Sequence, residues 1–359
     1  MRRVKPALPW IGLLLVACAG PVPDPAELER NLPGAREVDP ARRAELDSQV
    51  AEARTALAAS RVVEAKAAVQ RVLEIDPRHA RALAVLGRCR LATARESTPP
   101  ALDEYRLAEG ELRRASAIAP ADPLVALLHA EYLVADGHLS AAALRIDEGL
   151  AANPDDQALL ELGGRVRFDL GDERAAIPLL SRRVALAAAD VDSVWRLAQC
   201  HARLAAATFD RDERRRHATA ARDAFHLNAA LSPTDEEPLL GEAWAMLLLL
   251  PERIDDETCA PILALYDRAA RLDPASPEPA FGRGVAFARA GRDAEARAAW
   301  REALSLDPRH LASLLELAAS HAAAQEITEA RVLLERALSL SPPADERGRI
   351  EDWLKAHGI

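Results

Sequence analysis

Aromatic side chains are scarce in this 359-residue chain: five Trp, three Tyr and five Phe make up 4% of it. β-Branched and aromatic residues nowhere alternate with polar ones over a strand's length, which excludes a sheet as the organising element. Lysine occurs only at Lys5, Lys66 and Lys355, so nearly all basic residues are arginine. The four cysteines, Cys18, Cys89, Cys200 and Cys259, include no pair at metal-ligand spacing. None of the nine histidines lies in a His-x-x-x-His or Glu-x-x-His pair. There is no Gly-x-Ser-x-Gly elbow and no phosphate-binding loop, and Gly282-Arg283-Gly284 falls inside a helical pattern rather than after a strand. These absences predict no enzyme, no cofactor and no metal site. The formal charge of −10 repels phosphate, which excludes nucleic acid as a general partner.

What is present begins with a leader. Arg2, Arg3 and Lys5 precede an apolar run from Pro6 to Ala17 that is too short for a stable transmembrane helix. The run ends in Leu15-Val16-Ala17-Cys18, which resembles a bacterial lipobox. That resemblance implies a signal peptide over residues 1–17, cleavage before Cys18, and acylation of Cys18, palmitate included, as the membrane anchor. Ala19 after the cysteine, where an Asp would retain the protein in the inner membrane, implies an outer-membrane lipoprotein facing the periplasm. Removal of the leader takes the formal charge from −10 to −13. Residues 18–39 are proline-rich and read as a tether, able to reach about 65 Å when extended. Val38-Asp39-Pro40 supplies a helix cap and a first-turn proline.

From there the pattern is helical, rich in Ala and Leu. Prolines recur at Pro77, Pro120, Pro154, Pro233, Pro274, Pro308 and Pro342, three of the intervals being 34 residues, with Ala188 in the one missing place. The clearest unit is Pro279 to Pro308. Gly284, Ala296 and Ala303 sit where two helices must approach, Phe287 and Trp300 fill the space beside them, and Gly291 makes the turn. This unit resembles a tetratricopeptide repeat, a helix-turn-helix of 34 residues. The resemblance extends over residues 46–342 and implies an all-α, right-handed α-solenoid of about eight repeats spanning residues 40–343. Residues 344–359, with Ile350, Trp353 and Leu354 on one face, read as a capping helix. Repeats two, five and six carry extra residues near Arg95–Pro100, Thr208–His217 and Pro251–Pro261, polar stretches that read as surface insertions or helix extensions along one edge. Arg214-Arg215-Arg216-His217 is offset by Asp210, Asp212 and Glu213 and reads as a solvated helix start. Cys89 and Cys200 fall in first helices as small buried hydrophobes. Cys200 and Cys259, in neighbouring repeats, leave a disulfide open.

In that family the first helices line a concave surface. Residues at i, i+3, i+7 and i+10 face it: Arg165 and Phe168 after Glu161; Trp195 after Asp192; Leu240, Trp244 and Leu247 after Glu237; Phe281 after Glu278. With so few aromatics in the chain, this stripe is the candidate partner groove. Arg54, Arg88 and Arg165 share one stripe place and make the N-terminal half more basic. The Lys and Asn residues with which chaperone-binding relatives clamp a terminal carboxylate are not there. The expected function is a non-catalytic protein–protein scaffold or assembly factor of the bacterial envelope. It would bind a peptide or partner helix in the concave groove; the alternative is a self-associating envelope protein.

Overall fold

The computed structural model describes residues 39–97 and 101–357. The leader, Cys18, the tether up to residue 38 and part of the Arg95–Pro100 insertion lie outside them. The described residues form seventeen helices and no strand, in two compact units that divide between Leu186 and Ala187.

The first unit opens on Asp39, whose carboxylate accepts a hydrogen bond from the Arg42 amide at 2.9 Å, with Pro40 in the first turn. Both devices meet the unpaired amides of a helix start. Helix α1 (Pro40–Ala58) is followed by α2 (Val62–Ile75), α3 (Ala80–Glu96), α4 (Leu102–Ile118), α5 (Pro123–Ala135), α6 (Leu139–Ala152), α7 (Gln157–Asp169) and α8 (Glu173–Leu186). They form four antiparallel hairpins. Consecutive first helices, α1, α3, α5 and α7, touch one another, whereas the second helices make no comparable contacts among themselves. First helices therefore form the inner layer of this unit.

The second unit repeats the plan with α9 (Val191–Ala207), α10 (Arg211–Leu231), α11 (Glu237–Leu249), α12 (Asp256–Leu272), α13 (Glu278–Arg289), α14 (Asp293–Leu306), α15 (Leu311–Ala323) and α16 (Ile327–Ser339). A last helix, α17 (Ala344–Ala356), buries Ile350 and Leu354 against Leu314, Ala318, Leu334 and Ala337. All seven recurring prolines fall in loops: six between hairpins and Pro342 ahead of α17. Within hairpins three, four and seven, the turn takes a positive φ at Gly137, Gly171 and Gly291, a conformation glycine adopts without a steric penalty.

One packing rule recurs through both units. Eight residues before each loop proline (Ala188 standing in for the missing one) comes a buried side chain: Val69, Leu112, Ile146, Leu180, Phe225, Tyr266, Trp300 or Leu334. Ten residues after each loop proline that begins a hairpin comes a small one: Gly87, Ala130, Gly164, Ala198, Ala243, Gly284 or Ala318. The large side chain of a second helix lies on the small position of its own first helix. A Cβ on Gly87 would come within 2.8 Å of Leu112 Cγ, one on Gly164 would overlap Leu180, and one on Gly284 would overlap the Trp300 indole. The same knob also presses on the next hairpin. A Cβ on Gly163 would come within 2.9 Å of Ile146 Cγ2, one on Gly241 within 2.5 Å of the Phe225 ring, and one on Gly282 would overlap Tyr266.

The insertions and the cysteines, both left open by the sequence, take definite places. The extra residues of repeats five and six lengthen second helices as well as the loops before them. Asp210 caps α10, accepting from the Glu213 amide at 2.7 Å, so Arg214–Arg216 are helical. Pro261 does not bound its insertion but lies inside α12, which Asp255 has already capped through the Thr258 amide at 2.8 Å. The loop between α11 and α12 is held by Arg289 of α13, whose guanidinium donates to the carbonyls of Leu247 at 2.6 Å and Leu250 at 3.3 Å. The cysteine pairing is decided as well. Cys89, Cys200 and Cys259 are free and buried, so there is no Cys200–Cys259 disulfide; burial pushes the Cys89 thiol up to about 11.

The glycine contacts give a directional test. Gly284→Ala should destabilise the protein by about 1–3 kcal/mol, because the methyl must displace an indole that has no room to move. Gly110→Ala, in α4 with nothing within 4 Å of the added carbon, should instead stabilise by about 0.5–1 kcal/mol. Urea unfolding of the two variants reads both signs.

Buried imidazoles give a pH test. His129 of α5, 2.7 Å from Ser116 Oγ, is pushed down to about 4 by burial and then by Arg145 and Arg113. His201 of α9 is likewise pushed down to about 4 by burial and by His217, whose Nδ1 faces its own at 2.8 Å. Both folded values lie below the unfolded value of about 6.5, so the fold favours the neutral rings. Their contribution is complete above about pH 6.5 and is lost as the pH falls towards 4. Melting temperatures should decline across that window, and His129→Asn with His201→Asn should remove the part of the slope that lies above about pH 5.

Candidate functional site

The inner helices of the second unit carry a cavity of ≈ 440 Å³. Its walls follow the stripe read from the sequence. α9 contributes Trp195 and Gln199, α11 contributes Leu240 and Trp244, and α13 contributes Phe281. The walls line up because the residues sit at matching places on three successive first helices. Seven residues after the loop position come Trp195, Leu240 and Phe281; eleven after it come Gln199, Trp244 and Val285.

The floor was not read from the sequence. It is made by the rings of Phe225 and Tyr266, which belong to the second helices α10 and α12. Each is almost wholly buried, at 1% and 2% exposure, yet each reaches the cavity across a glycine, Gly241 or Gly282. A Cβ at either glycine would overlap the ring beneath it. The signal was present in the sequence: these are the two hairpins that have glycine eight residues after the loop proline, where the others carry Val85, Leu128, Leu162, Arg196 or Glu316.

Two carboxylates, Glu237 and Glu278, stand at the starts of α11 and α13 and are the charged residues of the lining. Glu278 is fixed by the following repeat, its Oε1 lying 3.2 Å from His310 Nε2. The same imidazole lies against Phe281, ring centroids 5.2 Å apart, and its Nδ1 is 2.7 Å from Ser313 Oγ. Burial raises the Tyr266 phenol well above its ordinary range, so it stays protonated at any physiological pH. The lining thus offers ring faces, aliphatic surface, an amide and two carboxylates, which is adhesive rather than reactive chemistry. Among the described residues no group of three or more His, Cys, Asp or Glu is placed to hold a metal ion, and no helix is long and apolar enough to cross a membrane.

Four of the seven groove candidates, Trp195, Leu240, Trp244 and Phe281, meet at this cavity. Trp244 is 42% exposed, a large indole left in water. Leu247 is not a groove residue: it is 1% exposed and packs with Cys259, Ile262 and Tyr266. Ten residues along, the helical phase has turned away from the stripe, and at the end of α11 it faces the second helix instead. Arg165 and Phe168 are half-buried on α7 in the first unit and do not line this cavity. The basic stripe of the first unit is partly neutralised, since Arg88 Nε donates to Glu131 Oε2 at 3.2 Å.

The comparison with known proteins follows the same geometry. The tetratricopeptide repeat family model matches residues 277–310, which hold α13, Gly291 and α14. The seven other hairpins repeat that hairpin's knob place, and six of them its small-residue place. Residues 277–310 are a tetratricopeptide repeat. Similar solved structures include PilF of Pseudomonas aeruginosa (20% identity, 67% of this chain and 96% of that chain, TM-score 0.46). Others are YrrB, described as a TPR protein with an unusual peptide-binding site (14%, 56% and 95%, TM-score 0.46), and MamA of Desulfovibrio magneticus RS-1 (14%, 52% and 96%, TM-score 0.43). No curated protein sequence matches the chain. The tetratricopeptide fold is that of a protein–protein interaction scaffold.

The contrast between Trp244 and Leu247 is measurable. Trp244→Ala should cost about 1–2 kcal/mol, less than a fully buried indole would, because 42% of its surface already lies in water. Leu247→Ala, three residues on, should cost about 2–5 kcal/mol through lost contacts and a cavity.

Proposed function

We propose that this protein is a non-catalytic scaffold or assembly factor of the bacterial envelope, held to the outer membrane by acylation of Cys18. In this reading the second unit grips a peptide or partner helix in its aromatic cavity. The observation that carries the binding part is Trp244, a half-exposed indole between the other rings of a concave surface. A core position would bury it, whereas a surface with no partner gains nothing from exposing so much apolar area. Aromatic anchors in a concave site are where binding energy concentrates. The envelope part is supported by sequence alone: the positive start, the apolar run and the Leu15-Val16-Ala17-Cys18 ending.

Each part has its own assay. Trp244→Ala should weaken capture of the partner from solubilised envelopes by ~2 kcal/mol or more while the melting temperature falls only slightly. Equal capture by the variant would refute the groove. Cys18→Ala should abolish palmitate labelling and leave the leader uncleaved; undiminished labelling would rule out the anchor.

A further inference from the structure

The capping helix α17 packs more closely on α16 than on α15, and a cleft of ≈ 400 Å³ stands between α15 and α17. Each wall is one helix face. α15 presents Leu315, Ala318 and Ala322, spaced i, i+3 and i+7, and α17 presents Glu346, Arg349, Ile350 and Trp353, spaced i, i+3, i+4 and i+7. Small side chains on the first wall give the cleft its depth. On the second, His357 stacks on Trp353 with ring centroids 4.0 Å apart. Its Nδ1 lies 2.8 Å from the Trp353 carbonyl oxygen, so the indole is held in place.

One polar atom in this apolar setting is left over. Glu346 Oε2 is buried and accepts no hydrogen bond from any described residue. The first turn of α17 offers it only the helix dipole. Arg349, one turn on, pairs instead with Asp345 at 3.9 Å, and Arg347 donates to the Pro342 carbonyl at 3.4 Å. The facing wall of leucine and alanine has no side-chain donor. A carboxylate oxygen withdrawn from water without a donor costs free energy. An apolar occupant would leave that cost in place, and an acidic one would add repulsion. A cationic group removes it, because hydrogen bonds between charged groups are the strong ones.

We propose that the cleft between α15 and α17 is a second binding site, taking a partner segment of aliphatic residues that carries one lysine or arginine. The aliphatic side chains settle against Leu315, Leu334 and Trp353. The stem of the basic residue lies along the alanines of α15, and its cation donates to Glu346 Oε2. The site shares no lining residue with the aromatic cavity, so it stands or falls separately from the groove. Charge complementarity of this kind sets which partner binds more than how tightly it binds.

The test uses the full chain and three acetylated, amidated peptides of one leucine–alanine framework, whose central residue is lysine, norleucine or glutamate. Norleucine keeps the apolar stem of lysine and lacks the ammonium. Calorimetric titration should rank them lysine, norleucine, glutamate, with the first at least about tenfold tighter than the second. Glu346→Gln should bring lysine and norleucine to similar affinity without lowering the melting temperature, since the fold gives that carboxylate no partner to lose. Ala322→Trp, which fills the cleft from the opposite wall, should weaken all three peptides, and Trp244→Ala should weaken none. Norleucine binding the parent as tightly as lysine overturns the proposal, as does a lysine preference that survives Glu346→Gln. So does binding that Trp244→Ala removes and Ala322→Trp spares, or no binding of any peptide. A parent chain that dimerises, with Ala322→Trp restoring the monomer and the lysine peptide failing to compete, assigns the cleft to a second copy and overturns it too.

Discussion

Two α-helices can bring a large side chain of one against the backbone of the other only where the second helix has little or no side chain of its own. That steric fact organises this molecule. A bulky residue of the second helix, eight before the loop position, lies on a small residue of its own first helix, and Ile146, Phe225 and Tyr266 also press on the next first helix of their unit. A single side chain therefore holds both the hairpin and the stack. Gly164 with Leu180, and Gly284 with Trp300, show the first contact; Gly163 with Ile146, and Gly282 with Tyr266, show the second. The prolines then stop each second helix at a fixed distance from its knob, which keeps the contacts in register. Polar interactions serve this frame. Arg289, for example, donates to the Leu247 and Leu250 carbonyls at the end of α11, adding to the Leu250 amide that already reaches Leu247 O at 3.2 Å.

The cavity follows from how the second unit varies this rule. Three of its four knobs are the aromatic Phe225, Tyr266 and Trp300, the fourth being Leu334, where the first unit uses Val69, Leu112, Ile146 and Leu180. A larger knob needs more relief on the facing helix, and Gly241 and Gly282 provide it. Relief at those positions has a second effect. Where a Val or Leu would cover the knob from the concave side, a glycine leaves its ring edge uncovered. Phe225 and Tyr266 thus remain core residues by burial and still form a binding surface by contact. Stability and recognition share the same atoms here, so a change to either floor ring would confound the two. Trp244 stands apart from the core and separates them.

Much of this was legible before any coordinate was known. The recurring prolines, the small residues ten places on, and the Asp39-Pro40 start follow from chain chemistry that acts over a few residues, and all of them sit where that chemistry puts them. So do Trp195, Leu240, Trp244 and Phe281, because a stripe on one helix face is a matter of period alone. What escaped depends on neighbours. Leu247 keeps the nominal spacing, yet accumulated phase and the packing of α12 turn it inward. Pro261 looked like a boundary because a proline opposes a helix, but the Asp255 cap precedes it and the helix runs through. The floor rings were visible as core residues only, since their exposure to the cavity depends on a missing atom on a different helix. The cysteines left their pairing open because spacing within a chain says little about distance across a stack.

The inner faces of the two units differ in a way that bears on where binding energy can be found. At the place eleven residues after the loop position, the first unit carries Arg88, Glu131 and Arg165, and the first two pair with each other at 3.2 Å. A ligand laid over them would have to break or bury an existing ion pair, and exposed pairs of this sort return about 0–1 kcal/mol when left alone but cost more when desolvated. The second unit carries Gln199, Trp244 and Val285 at the same places. Covering an indole and a valine releases water from apolar surface, which is favourable at about 25 cal/mol per Å². An indole already held by its helix loses little further freedom on binding. With the repeat frame the same in both units, the choice of side chain at one stripe position leaves the first surface charged, with Arg88 and Glu131 already paired, and leaves the second with apolar area whose free energy falls when something covers it.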